Sequence, residues 1–116
     1  MSIARKLTFE DLQKLSWGGV VWCVKHGDMD CGKYGTVKYY VVFPMMLTYD
    51  DKIEPEKILT AGTAYSDDIK LNKIPSNYHF WSNQPEAEQF EEGRVSIDDA
   101  LKIFNKYENE KMNEEK

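Results

Sequence analysis

Two cysteines and two histidines are the side chains with the most distinctive chemistry. Cys23, His26 and Cys31 lie within nine residues of one another, and His79 is the only other histidine. Thiolates and imidazoles are the usual ligands of tetrahedral zinc, but structural zinc sites carry two close ligand pairs. The C-x2-H-x4-C spacing here favours a simpler interpretation, in which Cys23 is a small core residue and the rest is a loop. We therefore predict no metal, with a Cys23, His26, Cys31 and His79 site as the alternative.

A thiol enzyme would need a cysteine beside a base, and Cys31 with His79 is the pair that could serve. The sequence around the cysteines shows no local signature of a thiol enzyme. The paired acids at 50–51, 67–68 and 98–99 are interpreted as two turns and a helix start, because acid–base catalysis needs carboxylates that converge across a cleft. The sequence thus predicts a protein that is not an enzyme and needs no cofactor.

Acidic residues are concentrated towards one end of the chain. The net charge is -5; residues 84–116 carry ten acidic and five basic side chains, whereas residues 1–83 carry ten of each. An acidic stretch repels nucleic acid and attracts basic protein surfaces, although it also suits a plain solvated helix face. The acids predicted to bind a partner are Glu86, Glu88, Glu91, Glu92, Asp98 and Asp99.

Aromatic residues are numerous, with three Trp, seven Tyr and five Phe in 116 residues. In a small domain most of these rings fill the core. Rings that remain exposed are favoured anchors of protein interfaces, and they can also stack on ligand rings. We predict that Trp81, Tyr78 and Tyr40 join the acidic residues in a partner-binding surface.

The stretch from Trp17 to Phe43 predicts the central strand pair. β-branched and aromatic residues fill 20–25 and 36–43, whereas Gly, Asp and Lys mark the intervening 26–35 as a loop. Both faces of these strands carry apolar side chains, which favours a central position in a sheet. Pro44 cannot donate to a ladder and should mark a strand end or an edge. Further strands are predicted at 58–65 and 78–81.

Two helices are predicted from their capping residues. Thr8 and Asp11 resemble a shortened capping box, and Gly18 and Gly19 should end this first helix. Ser96 should cap a longer C-terminal helix. Its apolar stripe comprises Ile97, Ala100, Leu101, Phe104 and Tyr107.

These elements predict an α+β fold: a curled antiparallel β-sheet or small barrel of about four to six strands, with a short N-terminal helix and a C-terminal amphipathic helix packed on it. The length predicts a single domain over 1–116, with 108–116 as a charged tail or frayed helix end. The sequence has no apolar run long enough for a membrane span and no secretory signal, so a cytoplasmic location is expected.

The opening residues resemble those of small phage and prophage accessory proteins. Leu7-Thr8-Phe9-Glu10-Asp11-Leu12 is similar to their L-T-x-E-[ED]-L helix, and Gly19-Val20-Val21-Trp22 to the G-x-x-V-W strand that follows it. Trp81 and Pro85 are similar in kind to a closing Trp strand before a proline. The resemblance implies a small β-barrel fold and, by association, an inhibitor of host defence such as an anti-CRISPR protein.

The leading expectation is a phage-type protein that binds and inhibits a host protein by steric block, plausibly a nucleic-acid-handling defence enzyme such as a CRISPR nuclease. Its acidic and aromatic surface would cover a basic groove on that enzyme without itself binding nucleic acid. One alternative is a nucleotide-binding protein with a site between Trp22, Tyr40 and Trp81. A second is the zinc- or thiol-dependent enzyme considered above.

Overall fold

The computed structural model describes residues 4–49, 57–62, 68–90 and 93–114. The helices are α1 (Phe9–Gln13), α2 (Ala87–Phe90) and α3 (Ile97–Glu114). The strands are β1 (Val20–Asp30), β2 (Thr36–Tyr49), β3 (Lys57–Thr60), β4 (Ile69–Lys70), β5 (Tyr78–Trp81) and β6 (Val95–Ser96). The predicted α+β fold is confirmed, and the sheet formed by the described strands is open, not a closed barrel.

The strand order is β4-β3-β2-β1-β5, with β6 paired to β2. The pairs of β5 with β1, β3 with β2 and β4 with β3 are antiparallel, whereas β6 runs parallel to β2. Two compact units contain the described residues. The first comprises Met1–Lys25 and Val42–Phe90, and the second comprises His26–Val41 and Glu91–Lys116.

Both central strands are longer than the sequence predicts. β1 continues to Asp30 and β2 to Tyr49, so the connection between them shrinks to Cys31–Gly35. Polar residues such as His26 and Asp28 predict a loop, but they lie on a strand because backbone pairing in a hairpin tolerates them. Here tertiary pairing overrides local propensity.

Pro44 lies inside β2 and does not end the strand. On β2, Met46–Tyr49 pair with β3, and Tyr39 and Tyr40 pair with β6. Pro44 falls between these two paired stretches, where the missing N–H leaves no ladder bond unmade. It therefore occupies an edge position in the middle of a long strand.

The first helix begins with the capping box that the sequence predicts. The Thr8 side chain accepts from the Asp11 N–H at 3.2 Å, and the Thr8 N–H donates to the Asp11 carboxylate at 2.9 Å. The bond from the Thr8 N–H, together with one from the Thr8 hydroxyl to the same carboxylate, places the pKa of Asp11 below its ordinary value. The helix ends at Gln13, earlier than the predicted glycine stop, and the glycines serve another purpose.

Gly18 and Gly19 join α1 to β1 through a tight turn and a bulge. The Gly19 N–H donates to the Ser16 carbonyl at 2.9 Å and closes a turn over Ser16–Gly19. Gly18 is the third residue of this turn and has φ +83°. Leu47 of β2 accepts from the Gly18 N–H at 2.9 Å and donates to the Gly19 carbonyl at 2.8 Å. Two residues therefore oppose one, which defines a glycine bulge.

Most of the core of the first unit lies on one face of its strands, where the most deeply buried side chains are Val21, Cys23, Met45, Leu47 and Leu59. Val24 is also fully buried, on the opposite side of β1. Lys57 borders this core, and its ammonium donates to the carbonyls of Gln13 and Leu15 at 2.7 and 3.2 Å. These bonds cover carbonyl groups of the connection from α1 to β1.

In the second unit, α3 packs against the Cys31–Gly35 connection. The Tyr107 ring occupies the space that a side chain at Gly32 would need, and Gly32 itself has φ +59°. The Tyr34 hydroxyl donates to the Glu110 carboxylate at 2.7 Å, and the Lys33 ammonium lies 2.5 Å from it. Both contacts lower the pKa of Glu110. The predicted Ser96 cap is present, because its hydroxyl accepts from the Asp99 N–H at 3.2 Å.

The C-terminal helix extends to Glu114, so 108–114 is helical, while 115–116 lie outside the described residues. None of the helices formed by the described residues is long and apolar enough to cross a membrane.

Candidate protein-binding surface

The second half of β2 alternates strictly between a buried and an exposed face. Phe43, Met45 and Leu47 are buried, whereas Pro44 and Met46 are exposed. Such alternation is expected of a strand that is packed on one side only. The side chains at the even positions nevertheless include apolar ones, so this exposed side is not the polar face that solvent normally meets.

Pairing extends the exposed side of β2 over neighbouring strands. Gly18 and Gly19 both bond to Leu47. The next residue of β1, Val20, therefore lies opposite Met46, the residue before Leu47 in the antiparallel β2. Thr60 of β3 is opposite Met46 on the other flank. Directly opposite residues share a face, so these side chains form one continuous surface.

We name this surface the open face and define it by its members. They are Val20, Trp22, Val42, Pro44, Met46, Thr48, Ile58 and Thr60. Val20 is 55% exposed and Met46 is 40% exposed, and the other members are exposed or half-buried. The eight members carry no charged side chain, in a chain of which 30% is charged, and Lys70 of β4 borders them opposite Ile58.

Trp17 stands beside the start of the open face. It occupies the second position of the Ser16–Gly19 turn, directly before the bulge, and is 67% exposed. The bulge bonds fix the turn to β2, so the backbone of Trp17 is held at the start of the open face. A large exposed ring next to an uncharged apolar face is typical of an interface anchor.

The predicted partner-binding acids divide between the two units. Glu86 and Glu88 are exposed in the first unit, at and just before the start of α2. Asp98 and Asp99 are exposed in the second unit, in the first turn of α3. Glu91 and Glu92 lie outside the described residues.

The three predicted aromatic contacts are buried or half-buried. Trp81 is buried, opposite Trp22 in the pairing of β5 with β1, and its indole N–H finds no acceptor among the described residues. Tyr78 is half-buried beneath the Lys25 ammonium, which lies 5.5 Å from the ring centre. Tyr40 is half-buried in the second unit. The exposed aromatic residue beside the open face is instead Trp17.

The nucleotide alternative required Trp22, Tyr40 and Trp81 around the mouth of a barrel. The described strands form an open sheet, so they provide no barrel mouth. Trp81 is also buried.

The cysteines lack the environment of reactive thiols. Burial raises the pKa of Cys23 to about 12, so the thiol is protonated at neutral pH and is a poor nucleophile. Cys31 is fully buried. Within the described residues, which include Cys23, His26, Cys31 and His79, no three His, Cys, Asp or Glu side chains are grouped to hold a metal ion.

Sequence reasoning did not find the open face, although a signal was present. Apolar residues on both sides of β1 and β2 predict a central position in the sheet, which the strand order confirms, but they do not indicate which side stays exposed. The run Pro44-Met45-Met46-Leu47 carried the missing information, because a strand continuing through it would put Met46 on the side away from Leu47. The prediction that Pro44 marks a strand end or an edge left this alternation out of account.

Comparisons of this chain with protein-family models, with curated proteins and with solved structures find no match. Function is therefore inferred from the geometry, burial and charge described above.

Proposed function

We propose that this protein is a small non-enzymatic binding protein that attaches to another protein through the open face. The observation that carries the proposal is the placement of exposed Val20 opposite exposed Met46 among uncharged side chains of the sheet, with exposed Trp17 in the preceding turn. Covering apolar area of this kind is favourable by about 25 cal/mol per Å² removed from water. Exposed apolar patches with polar surroundings are characteristic of protein interaction sites.

Acidic residues supply the second part of the proposal. Glu86 and Glu88 are exposed in the same unit as the open face, and the whole net charge of the chain derives from residues 84–116. Acids outside an apolar contact add more to association rate and partner choice than to affinity. The partner they favour is a basic protein surface.

The specific form of the proposal is an inhibitor in the cytosol of a host cell. It rests on the likeness of Leu7–Leu12 and Gly19–Trp22 to phage accessory proteins, together with the acidic charge. The partner would be a nucleic-acid-handling defence enzyme, such as a CRISPR nuclease, whose basic groove the protein blocks sterically. No nucleic acid needs to bind to this chain.

Capture from a bacterial lysate tests the proposal when it is done with matched variants. In V20K/M46E a Lys on β1 lies opposite a Glu on β2, so the net charge of the chain is unchanged. The opposite charges support the pairing of the two strands, while the apolar surface is lost. We expect this variant to lose the captured protein at an unchanged melting temperature. M112E, which alters an exposed Met of α3, is the control and should retain it.

Charge reversal tests the acidic contribution separately. E86K/E88K should weaken binding of the captured protein and flatten its dependence on salt, because it removes long-range attraction. E10K/D68K changes net charge equally at two other exposed acids and is the control. Retention of the captured protein by V20K/M46E at wild-type affinity would overturn the proposal. An unchanged salt slope in E86K/E88K would overturn the acidic part alone.

A further inference from the structure

The first unit contains a cavity that the open face does not use. Its volume is about 490 Å³, and it lies among α1, the residues just before it, β5 and the connection from β4 to β5. Volumes of roughly 300–1,000 Å³ are typical of sites for small molecules. The cavity is therefore large enough for a ligand of moderate size.

The wall of this cavity is predominantly apolar. Buried Leu12 and Leu71 contribute to it, together with half-buried Leu7 and Ile74. Phe9 also lines the cavity and is 48% exposed, although it is the first residue of a helix that packs through Leu12. An aliphatic or flat aromatic body is the chemistry that such a wall accommodates.

The ionisable groups of basic type in the described lining are the ammonium of Lys6 and the imidazole of His79. The described lining includes no Asp or Glu. The neighbouring cation is already engaged, because Arg5 lies 3.3 Å from the Asp11 carboxylate that also caps α1. Among the described residues no acidic side chain forms an ion pair with Lys6. Lys6 is exposed, so its ammonium can meet an anion at the edge of the apolar wall.

We propose that this cavity binds a small amphipathic monocarboxylate. Its apolar body packs against Leu12, Leu71 and Ile74, and its carboxylate pairs with the Lys6 ammonium. The apolar wall favours a ligand with an apolar body, and the Lys6 ammonium favours a negatively charged head group. This site is independent of the proposed protein interface, since it shares no residue with the open face.

Three probes of equal chain length test the assignment by calorimetric titration of the full chain. They are decanoate, decanol and decylammonium, each kept below its micelle concentration. We expect decanoate to bind at least about 3-fold more tightly than decanol, and decylammonium to bind weakest, because only the head group changes. Failure of decanoate to bind the wild-type protein, or equal affinity for the three probes, would overturn the proposal.

Variants distinguish this cavity from other apolar surfaces. K6E should reverse the preference, so that decylammonium binds more tightly than decanoate. K73E carries the same charge change on an exposed residue of the β4–β5 connection that does not line the cavity, and it should keep the wild-type order. I74W should fill the cavity and abolish binding of all three probes, with its melting temperature measured to show that it folds.

The variant V20K/M46E separates this proposal from the proposed function. It should bind decanoate as the wild-type protein does, whether or not it captures a protein partner. Loss of decanoate binding in V20K/M46E but not in I74W would place the ligand on the open face and overturn the cavity assignment. An identical response of K6E and K73E would also overturn it, because the head-group preference would then reflect overall charge.

Discussion

The two faces of the same strands in the first unit differ in what their residues do. On the buried face, Met45 and Leu47 fill the core. On the open face, Met46 lies between them in sequence and Val20 lies opposite it, yet both are exposed. Residues of one chemical type thus contribute to the core on one side and remain exposed on the other. Which of these they do depends on register, not on residue type.

The largest expected effect comes from substituting adjacent residues on opposite faces. L47A removes a fully buried side chain and should lower the free energy of unfolding by about 2–5 kcal/mol, because the cavity left behind adds to the lost transfer energy. M46A should change it by less than about 0.5 kcal/mol, since surface substitutions away from special features are mild.

Urea unfolding of both variants measures this difference through the transition midpoint. Similar losses in L47A and M46A would show that Met46 is packed in solution, and the distinction between the two faces would then be wrong.

An intermediate effect is expected where the open face begins. Gly18 has φ +83° and open space around it, so the cost of G18A arises from backbone conformation alone. An alanine in the left-handed region should reduce stability by about 1–2 kcal/mol. G62A is the control, because Gly62 also meets open space but lacks a positive φ.

Thermal unfolding of G18A and G62A should therefore separate the two variants clearly. G18A should also weaken partner binding, because the bulge sets Val20 opposite Met46. An equal melting temperature for the two variants would contradict the role of Gly18 in the bulge.

The smallest effect concerns the thiol on the buried face. Folding raises the pKa of Cys23 from 9.0 to about 12, so the unfolded state loses its proton first as pH rises. The stability associated with the protonated thiol is therefore complete below pH 9 and declines above it. Between about pH 8 and 10, wild type should lose about 1 kcal/mol more than C23A.

Chemical denaturation at both pH values measures that difference. In the same comparison, a thiol introduced by M46C should react with a disulfide reagent far faster than Cys23 in the folded protein. Equal slopes with pH in wild type and C23A would contradict the burial of this thiol, and so would rapid labelling of Cys23.

Much of the fold could be predicted from local sequence. The capping residues Thr8 and Ser96 act as expected, and β5 has the predicted bounds of 78–81, because these features depend on neighbours in the chain. The lengths of β1 and β2 could not be predicted, since pairing between distant residues extends them beyond the apolar runs. Gly18 and Gly19 were correctly read as a break, but their bulge with Leu47 depends on a partner strand that the local sequence does not reveal.

The candidate surface was less accessible to sequence reasoning. Residue types indicated that some aromatic side chains would be exposed, but exposure depends on how the chain packs. Trp81 was expected at the interface and is buried, whereas Trp17, which is not among the predicted contacts, is the most exposed of the three tryptophans. The acids that were predicted from charge alone are exposed wherever the structure describes them.

Methionine oxidation in the complex tests the role of the open face most directly, because it uses the wild-type chain. Met46 and Met112 are 40% and 61% exposed, whereas Met45 is buried and serves as the internal reference. Dilute peroxide followed by peptide mass spectrometry should show that the captured partner protects Met46 several-fold and leaves Met112 unprotected. Oxidation of Met46 at the same rate with and without the partner would contradict binding through the open face.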